Sequence, residues 1–326
     1  ISLFALNTDD AASLQEIVAQ TDTEDAYSRS NPHHNRARYY RDELQAPFRF
    51  GVPDTLEFHG NSECESLFFQ AVDTLCSLGG DPVEIPFTPF LEAARLLYEG
   101  PWVAERWLVA RTVSSNDLLP VFGAVLEGAG EKSAGDCFQA QYALQEFKAI
   151  CDRAMATVDF VLTPTTPTVF TRAELGKEPV KHNSTLGTYT NYVNLLDYAA
   201  TAVPIGALSS GVHWGVTLVG PAFSDIRLLS YAGALHKRSC ASQGATAYPL
   251  PDTAKGAQPL PADTVDVVVC GAHMSGMPLN WQLTERGASL ADTTQSAADY
   301  RLYALPDGNR PALVHSAGSG EPIDLE

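Results

Sequence analysis

Apolar positions recur along this chain with two periods, and the switches between them lay out its elements. Phe48 to Pro53 is a short strand-like run. Leu67, Phe68, Ala71, Val72 and Leu75 follow at helical spacing within 62–78, closed by Gly79-Gly80. Pro82 to Pro86 reads as another strand. Strand, helix and strand with brief joints predict a βαβ unit, and so a largely parallel sheet with covering helices. Earlier, Asn7 to Asp10 has the composition of a helix start, which Ala11, Leu14, Ile17 and Val18 continue. Residues 21–45 are polar, with Asn31-Pro32 as a turn signal, and read as loop. Residues 112–135 mix glycine, serine and short apolar runs and receive no element.

Farther along, 137–155 is helical in period, with Phe138, Tyr142, Leu144, Phe147, Ile150 and Cys151 placed inward. Val158 to Leu162 has the signature of a buried strand, and it ends in Thr163-Pro164-Thr165-Thr166-Pro167-Thr168. Ligands of open α/β sheets sit beyond the carboxyl ends of strands. This hydroxyl-rich loop is therefore either a pocket wall or a stiff connector. A helix over 188–196, strands at Ala202–Gly206 and Gly215–Gly220, and a helix from Ile226 to Lys237 complete this part.

The most informative stretch runs from Leu96 to Arg106. Phe90, Leu91, Ala94, Leu97 and Tyr98 share one helical face, and Gly100-Pro101 then breaks the helix and starts another. On an unbroken helix Tyr98 and Arg106 would lie roughly 80° and about 12 Å apart. A bend removes that restriction and lets both side chains meet at one place. A guanidinium grips a carboxylate bidentately, and a phenol donates a hydrogen bond beside it. The pair thus has the chemistry of a small-anion site. The competing reading is a core tyrosine plus a surface arginine paired with Glu99 or Glu105.

Beyond Ser239 the composition shifts to Ser, Ala, Gln, Gly and Pro without period, which predicts a linker over 239–262. A strand at Val265 to Gly271 then opens a second, smaller domain over 263–326, leaving 1–238 as the first. The chain of 326 residues carries 39 acidic and 21 basic groups, a net charge of −18. Such a field disfavours nucleic acid and anionic membrane surfaces as partners. It also requires a local cation, such as Arg106, wherever an anionic substrate binds. The six cysteines form no C-x-x-C pair, and His33-His34 stands alone, so no metal site is expected. Scattered single cysteines fit a reducing, cytoplasmic setting.

Dinucleotide, P-loop, zincin and nucleophile-elbow motifs are absent from the sequence. The doublets Ser114-Ser115 and Ser209-Ser210 lack a glycine frame and read as loop residues rather than nucleophiles.

The segments Leu97 to Arg106, Leu162 to Thr168, Asn183 to Asp197 and Gly215 to Phe223, with Gly271 to Asn280 and Leu283 to Gly287, resemble allophanate hydrolases of the amidase-signature family. That resemblance covers roughly residues 1–310. It implies part of a mixed amidase-signature sheet flanked by helices, followed by a partial α+β domain like the γ-glutamylcyclotransferases. It implies hydrolysis of allophanate to ammonia and bicarbonate in urea or related nitrogen catabolism, without metal or organic cofactor. Tyr98 and Arg106 would hold the substrate carboxylate. His273 would transfer protons in the second domain, aiding decarboxylation of N-carboxycarbamate, beside an anion-binding turn of backbone N–H groups. The competing role for His273 is a turn-capping hydrogen bond. The family's two serines and lysine occur in a Gly-Gly-Ser-Ser-Ser-Gly region and a lysine segment that this sequence does not contain. The chain is therefore expected to be a fragment that does not hydrolyse by itself. Another amidase-signature amidase and a noncatalytic assembly module are the alternatives. A homodimer and a functional link to urea carboxylase, fused or separate, are further implications.

Overall fold

A computed structural model describes residues 2–40, 44, 47–114, 117–250, 267–290, 293–304 and 311–326. The chain divides into two compact units, Ile1–Arg29 with Asn35–Lys255, and Ser30–His34 with Gly256–Glu326.

The first unit opens with α1 (Thr8–Val18), whose first turn is capped by the Asn7 side chain accepting from the Asp10 N–H. Two 3₁₀ turns cross the polar stretch before β1 (Phe48–Pro53), α2 (Ser62–Ser77) and β2 (Gly80–Ile85) form the expected βαβ unit. Then come α3 (Thr88–Glu99), α4 (Trp102–Ala110), α5 (Pro120–Val125) and α6 (Ala134–Met155). After β3 (Phe160–Pro164) the chain makes three short helices, α7 (Arg172–Lys177), α8 (Pro179–Leu186) and α9 (Asn191–Leu195). The hairpin of β4 (Tyr198–Ala207) and β5 (His213–Pro221) leads to α10 (Asp225–Ser239).

The sheet order is β2-β1-β3-β5-β4. β1 runs parallel to β2 and β3, whereas β5 is antiparallel to both β3 and β4. The sheet is thus mixed, not largely parallel. Helical crossovers enforce the parallel half, and the short turn between β4 and β5 forces the antiparallel one.

Two apolar cores cover the two faces. One gathers Phe48, Phe50, Phe68, Phe160, Leu218 and Tyr231 beneath α2 and α10. The other gathers Ile85, Phe87, Phe90, Val161, Tyr192 and Val219 beneath α3, α6 and α9. Burial in these cores pushes the Cys64 thiol up to about 11 and the Cys151 thiol up to about 12. At one end of the β4–β5 hairpin, Asp197 and Phe223 hold left-handed backbone (φ 54° and 63°). Arg29 joins them, donating twice to the Asp197 carboxylate at 2.8 Å while its guanidinium lies 4.7 Å from the Phe223 ring centroid.

Helix α6 corrects one expectation. Cys151 is buried and Leu144 and Phe147 are half-buried, but Phe138 and Tyr142 face outward and Ile150 is also exposed. Phe138 and Tyr142 lie roughly 120° or more round the helix from Leu144, Phe147 and Cys151, so they occupy the face turned away from the core.

In the second unit α11 (Trp281–Thr284) precedes two small antiparallel pairs. β6 (Thr294–Gln295) pairs with β9 (Asp324–Leu325), and β7 (Tyr300–Ala304) with β8 (Pro311–His315). The predicted strand at Val265 to Gly271 is not a ladder strand over its described part. Val267 to Cys270 is irregular, with one reciprocal backbone pair between Val269 and Glu326. Val265, Asp266 and linker residues 251–262 lie outside the described residues.

Candidate functional site

The bend between α3 and α4 has a specific cause. The Gly100 N–H donates to the Leu96 carbonyl, and a Cβ on Gly100 would sit 2.4 Å from that same oxygen. Only glycine closes the helix this tightly. Pro101 then stands at the N-cap of α4, one position ahead of the expected first turn residue.

Helix α3 is anchored by Phe90, Ala93, Ala94 and Leu97, all buried. Tyr98 is not on that buried face, since 46% of it is exposed. Across the bend the Arg106 guanidinium carbon lies 5.6 Å from the Tyr98 ring centroid. The elbow therefore brings the two predicted residues together, as a cation over an aromatic face. Glu99 is taken by Arg95 at 3.1 Å, with Glu92 on the other side of that guanidinium. Among the described residues Arg106 forms no ion pair. The pairing of Arg106 with Glu99 or Glu105 is not formed. What the elbow presents to solvent is an unneutralised guanidinium fork beside a phenol, on a chain of strongly negative charge.

A cavity of about 370 Å³ lies next to the elbow but opens on the other side of α4. Pro101, Ala104, Glu105 and Leu108 line it at i, i+3, i+4 and i+7. Arg106 sits about 200° beyond Ala104 on the helix and does not line it.

The threonine loop after β3 has its groups occupied. The Thr165 and Thr217 hydroxyls are 2.9 Å apart, the Trp214 indole N–H donates to the Thr166 carbonyl at 2.9 Å, and the Asn61 amide donates to the Thr168 hydroxyl at 3.1 Å. This geometry is that of the stiff connector. Ser209 is likewise engaged. Its hydroxyl donates to Glu63 at 2.7 Å, and its N–H and hydroxyl together hold that carboxylate below the usual range, which makes a poor base. Ser115 of the other doublet lies outside the described residues.

In the second unit His273 is half-buried in a run of turns that uses left-handed Gly271 and Gly276. Its Nε2 is 3.1 Å from the Gln282 side-chain oxygen, and its carbonyl accepts from the Asn280 amide at 2.8 Å. The Ser275 N–H of the same turn donates to the Glu326 carboxylate. A backbone donor there is thus seen holding a carboxylate group. Among the described residues no group of three or more His, Cys, Asp or Glu is placed to hold a metal ion. No described helix is long and apolar enough to cross a membrane.

A mixed sheet clothed in helices agrees with comparison to known families. The profile described as Amidase matches residues 1–229, and the chain belongs to that family. A second profile, Allophanate hydrolase C-terminal domain, matches residues 265–326. Among individual relatives, the urea amidolyase of Saccharomyces cerevisiae is 35% identical over all of this chain, which spans 18% of that protein. The urea amidolyase of Lachancea kluyveri is 34% identical with the same coverage. The solved allophanate hydrolase of Kluyveromyces lactis superposes with a TM-score of 0.77 at 32% identity, over 99% of this chain and 55% of that one. A solved 6-aminohexanoate cyclic dimer hydrolase shares the fold, with a TM-score of 0.57 at 17% identity over 72% of this chain and 53% of that one. The chain thus spans under a fifth of the urea amidolyases it matches and about half of the allophanate hydrolase.

Proposed function

We propose that these residues are the carboxylate-recognising part of an allophanate hydrolase, an amidohydrolase that converts allophanate to ammonia and bicarbonate. One observation carries this reading: the Arg106 guanidinium, free of ion pairs among the described residues, lies over the Tyr98 ring across a glycine-enforced bend. Arg106 grips the two carboxylate oxygens, and the Tyr98 hydroxyl donates to one of them. Allophanate carries its carboxylate at one end and its scissile amide at the other. Holding the first fixes the second for attack. Attack itself belongs to the family's serine–serine–lysine segment, whose motifs these 326 residues do not include.

In the second unit His273 is the proton-transfer group for loss of carbon dioxide from N-carboxycarbamate, with Gln282 fixing its ring. The Ser275 N–H marks where an anion docks. The match to the allophanate hydrolase C-terminal domain supports this assignment. The likeness to urea amidolyases supports a working link with urea carboxylase. We place the protein in the cytoplasm on its unpaired cysteines and propose that it works as a homodimer, as members of its family often do.

The test uses a complete enzyme carrying this segment. Arg106→Ala should lower kcat/KM for allophanate about a hundredfold, the scale of losing one partner of a charged pair. Turnover of a neutral linear amide should stay unchanged. Equal loss on both substrates would contradict the assignment.

A further inference from the structure

Helix α4 packs in neither sheet core. Its buried Val103 and Ala110 cluster with Leu126, Ala129 and Trp107 in a separate apolar group. The angle between α3 and α4, and with it the Tyr98–Arg106 spacing, is therefore set locally. The bend and the segments that span it bear on that angle.

Among the described residues, one such segment follows α5. Gly128 holds a left-handed conformation (φ 71°) and feeds a 3₁₀ turn over Ala129–Glu131, followed by Lys132. The Lys132 ammonium donates to the Glu99 carbonyl at 3.2 Å, at the residue directly after Tyr98. A Cβ on Gly130 would come within 2.9 Å of the Trp107 ring, at the residue directly after Arg106. Two residues of one short segment thus rest on the immediate neighbours of the two clamp residues. The ammonium also stabilises the carbonyl end of α3, where a cation is favoured.

We propose that Gly128–Lys132 is a strap that sets the clamp, with Gly130 and Lys132 as positioning residues for Arg106 and Tyr98. Neither touches the carboxylate. Lys132 ties the end of the tyrosine helix, and the bare face of Gly130 lets the indole of the arginine helix sit close. A side chain at 130 pushes Trp107 away and swings Arg106 off the ring. The proposal rests on the carboxylate reading above for its purpose but not for its geometry, so the two are separable by experiment.

The test uses the 326-residue chain. Arg106 side-chain protons lie over the Tyr98 ring and carry an upfield ring-current shift in NMR spectra, whose zero is set by Tyr98→Leu. In Gly130→Val and in Lys132→Met this shift should move toward that zero, while Lys132→Arg should keep it. Affinity for malonamate, a stable carboxylate–amide analogue of allophanate, should fall about tenfold for Gly130→Val, since small misplacements of a positioned group are costly. It should fall about threefold for Lys132→Met, the value of one exposed hydrogen bond. Lys132→Met keeps the test open where Gly130→Val disturbs folding. An unaltered ring-current shift in Lys132→Met, with unaltered affinity, overturns the strap. Loss of the shift in a chain that never binds malonamate supports the strap and overturns the carboxylate reading instead.

Discussion

The threonine loop after β3 and the glycine–proline elbow between α3 and α4 present similar credentials as sequences. Both are proline-stiffened, and both carry polar groups next to apolar runs. In the structure they differ in where those groups are used. The loop's hydroxyls and carbonyls, with Trp214, Asn61 and Thr217, bond to one another. The elbow leaves a guanidinium beside a phenol, while the neighbouring Glu99 goes to Arg95. A polar group already bonded holds the fold. One left without a partner beside solvent is available for a ligand, and the count of partners separates the two cases.

Substitutions sharpen that contrast. The largest effect belongs to neither region but to the core beneath the elbow. Phe90 is fully buried against Phe87 and Tyr192. Phe90→Ala should cost about 3–5 kcal/mol in denaturant unfolding, and it should loosen α3 along with Tyr98. Next, Trp214→Phe should cost about 1–3 kcal/mol by stranding the Thr166 carbonyl, with no change in carboxylate binding. If that substitution instead left stability intact and weakened binding, the loop would be part of the site.

A pH effect follows. His236 is buried in α10 with Nε2 unpartnered among the described residues, and burial, reinforced by Lys237, lowers its pKa from the ordinary value. The unfolded chain then takes up this proton at higher pH than the folded one. The stability that depends on a neutral His236 is present above the ordinary histidine range, near pH 6.5, and declines as the pH falls through it. Unfolding free energies measured between about pH 8 and about pH 5 should slope less in His236→Phe than in the parent. Equal slopes would remove His236 from the account. The smallest effect should come from Arg29→Ala. Its exposed bidentate pair with Asp197 is worth about 1 kcal/mol at most, and less at high salt.

Much of this fold was legible in the chain. The βαβ unit followed from period and punctuation, because α2 presents Phe68, Ala71 and Leu75 to the sheet at the spacing the sequence shows. The elbow was legible too, since few residues besides Gly-Pro end one helix and begin another. Directions of burial were less accessible. On a helix Phe138 and Tyr142 fall roughly 120–180° from Leu144, Phe147 and Cys151, so the two sets cannot share one face, and apolar content alone does not say which of them meets the core. The antiparallel pairing of β5 with β3 joins strands far apart in the chain, which no local pattern encodes, whereas its pairing with β4 follows from the short turn between them. Tyr98 was assigned to the buried face because it follows Leu97 at the end of the stripe, whereas the helix turns it to the rim. The strap was illegible because its meaning lies in two contacts made thirty-three and twenty-three residues away in sequence, Lys132 to Glu99 and Gly130 to Trp107.

The central claim is that Arg106 is a carboxylate receptor. Calorimetric titration of this chain with malonamate, compared between the parent and Arg106→Gln, tests it most directly. The account predicts saturable binding that weakens by about tenfold or more in the variant, the value of a charge-assisted hydrogen-bonded pair, while the unfolding midpoint stays the same. Equal affinity in both proteins would contradict it.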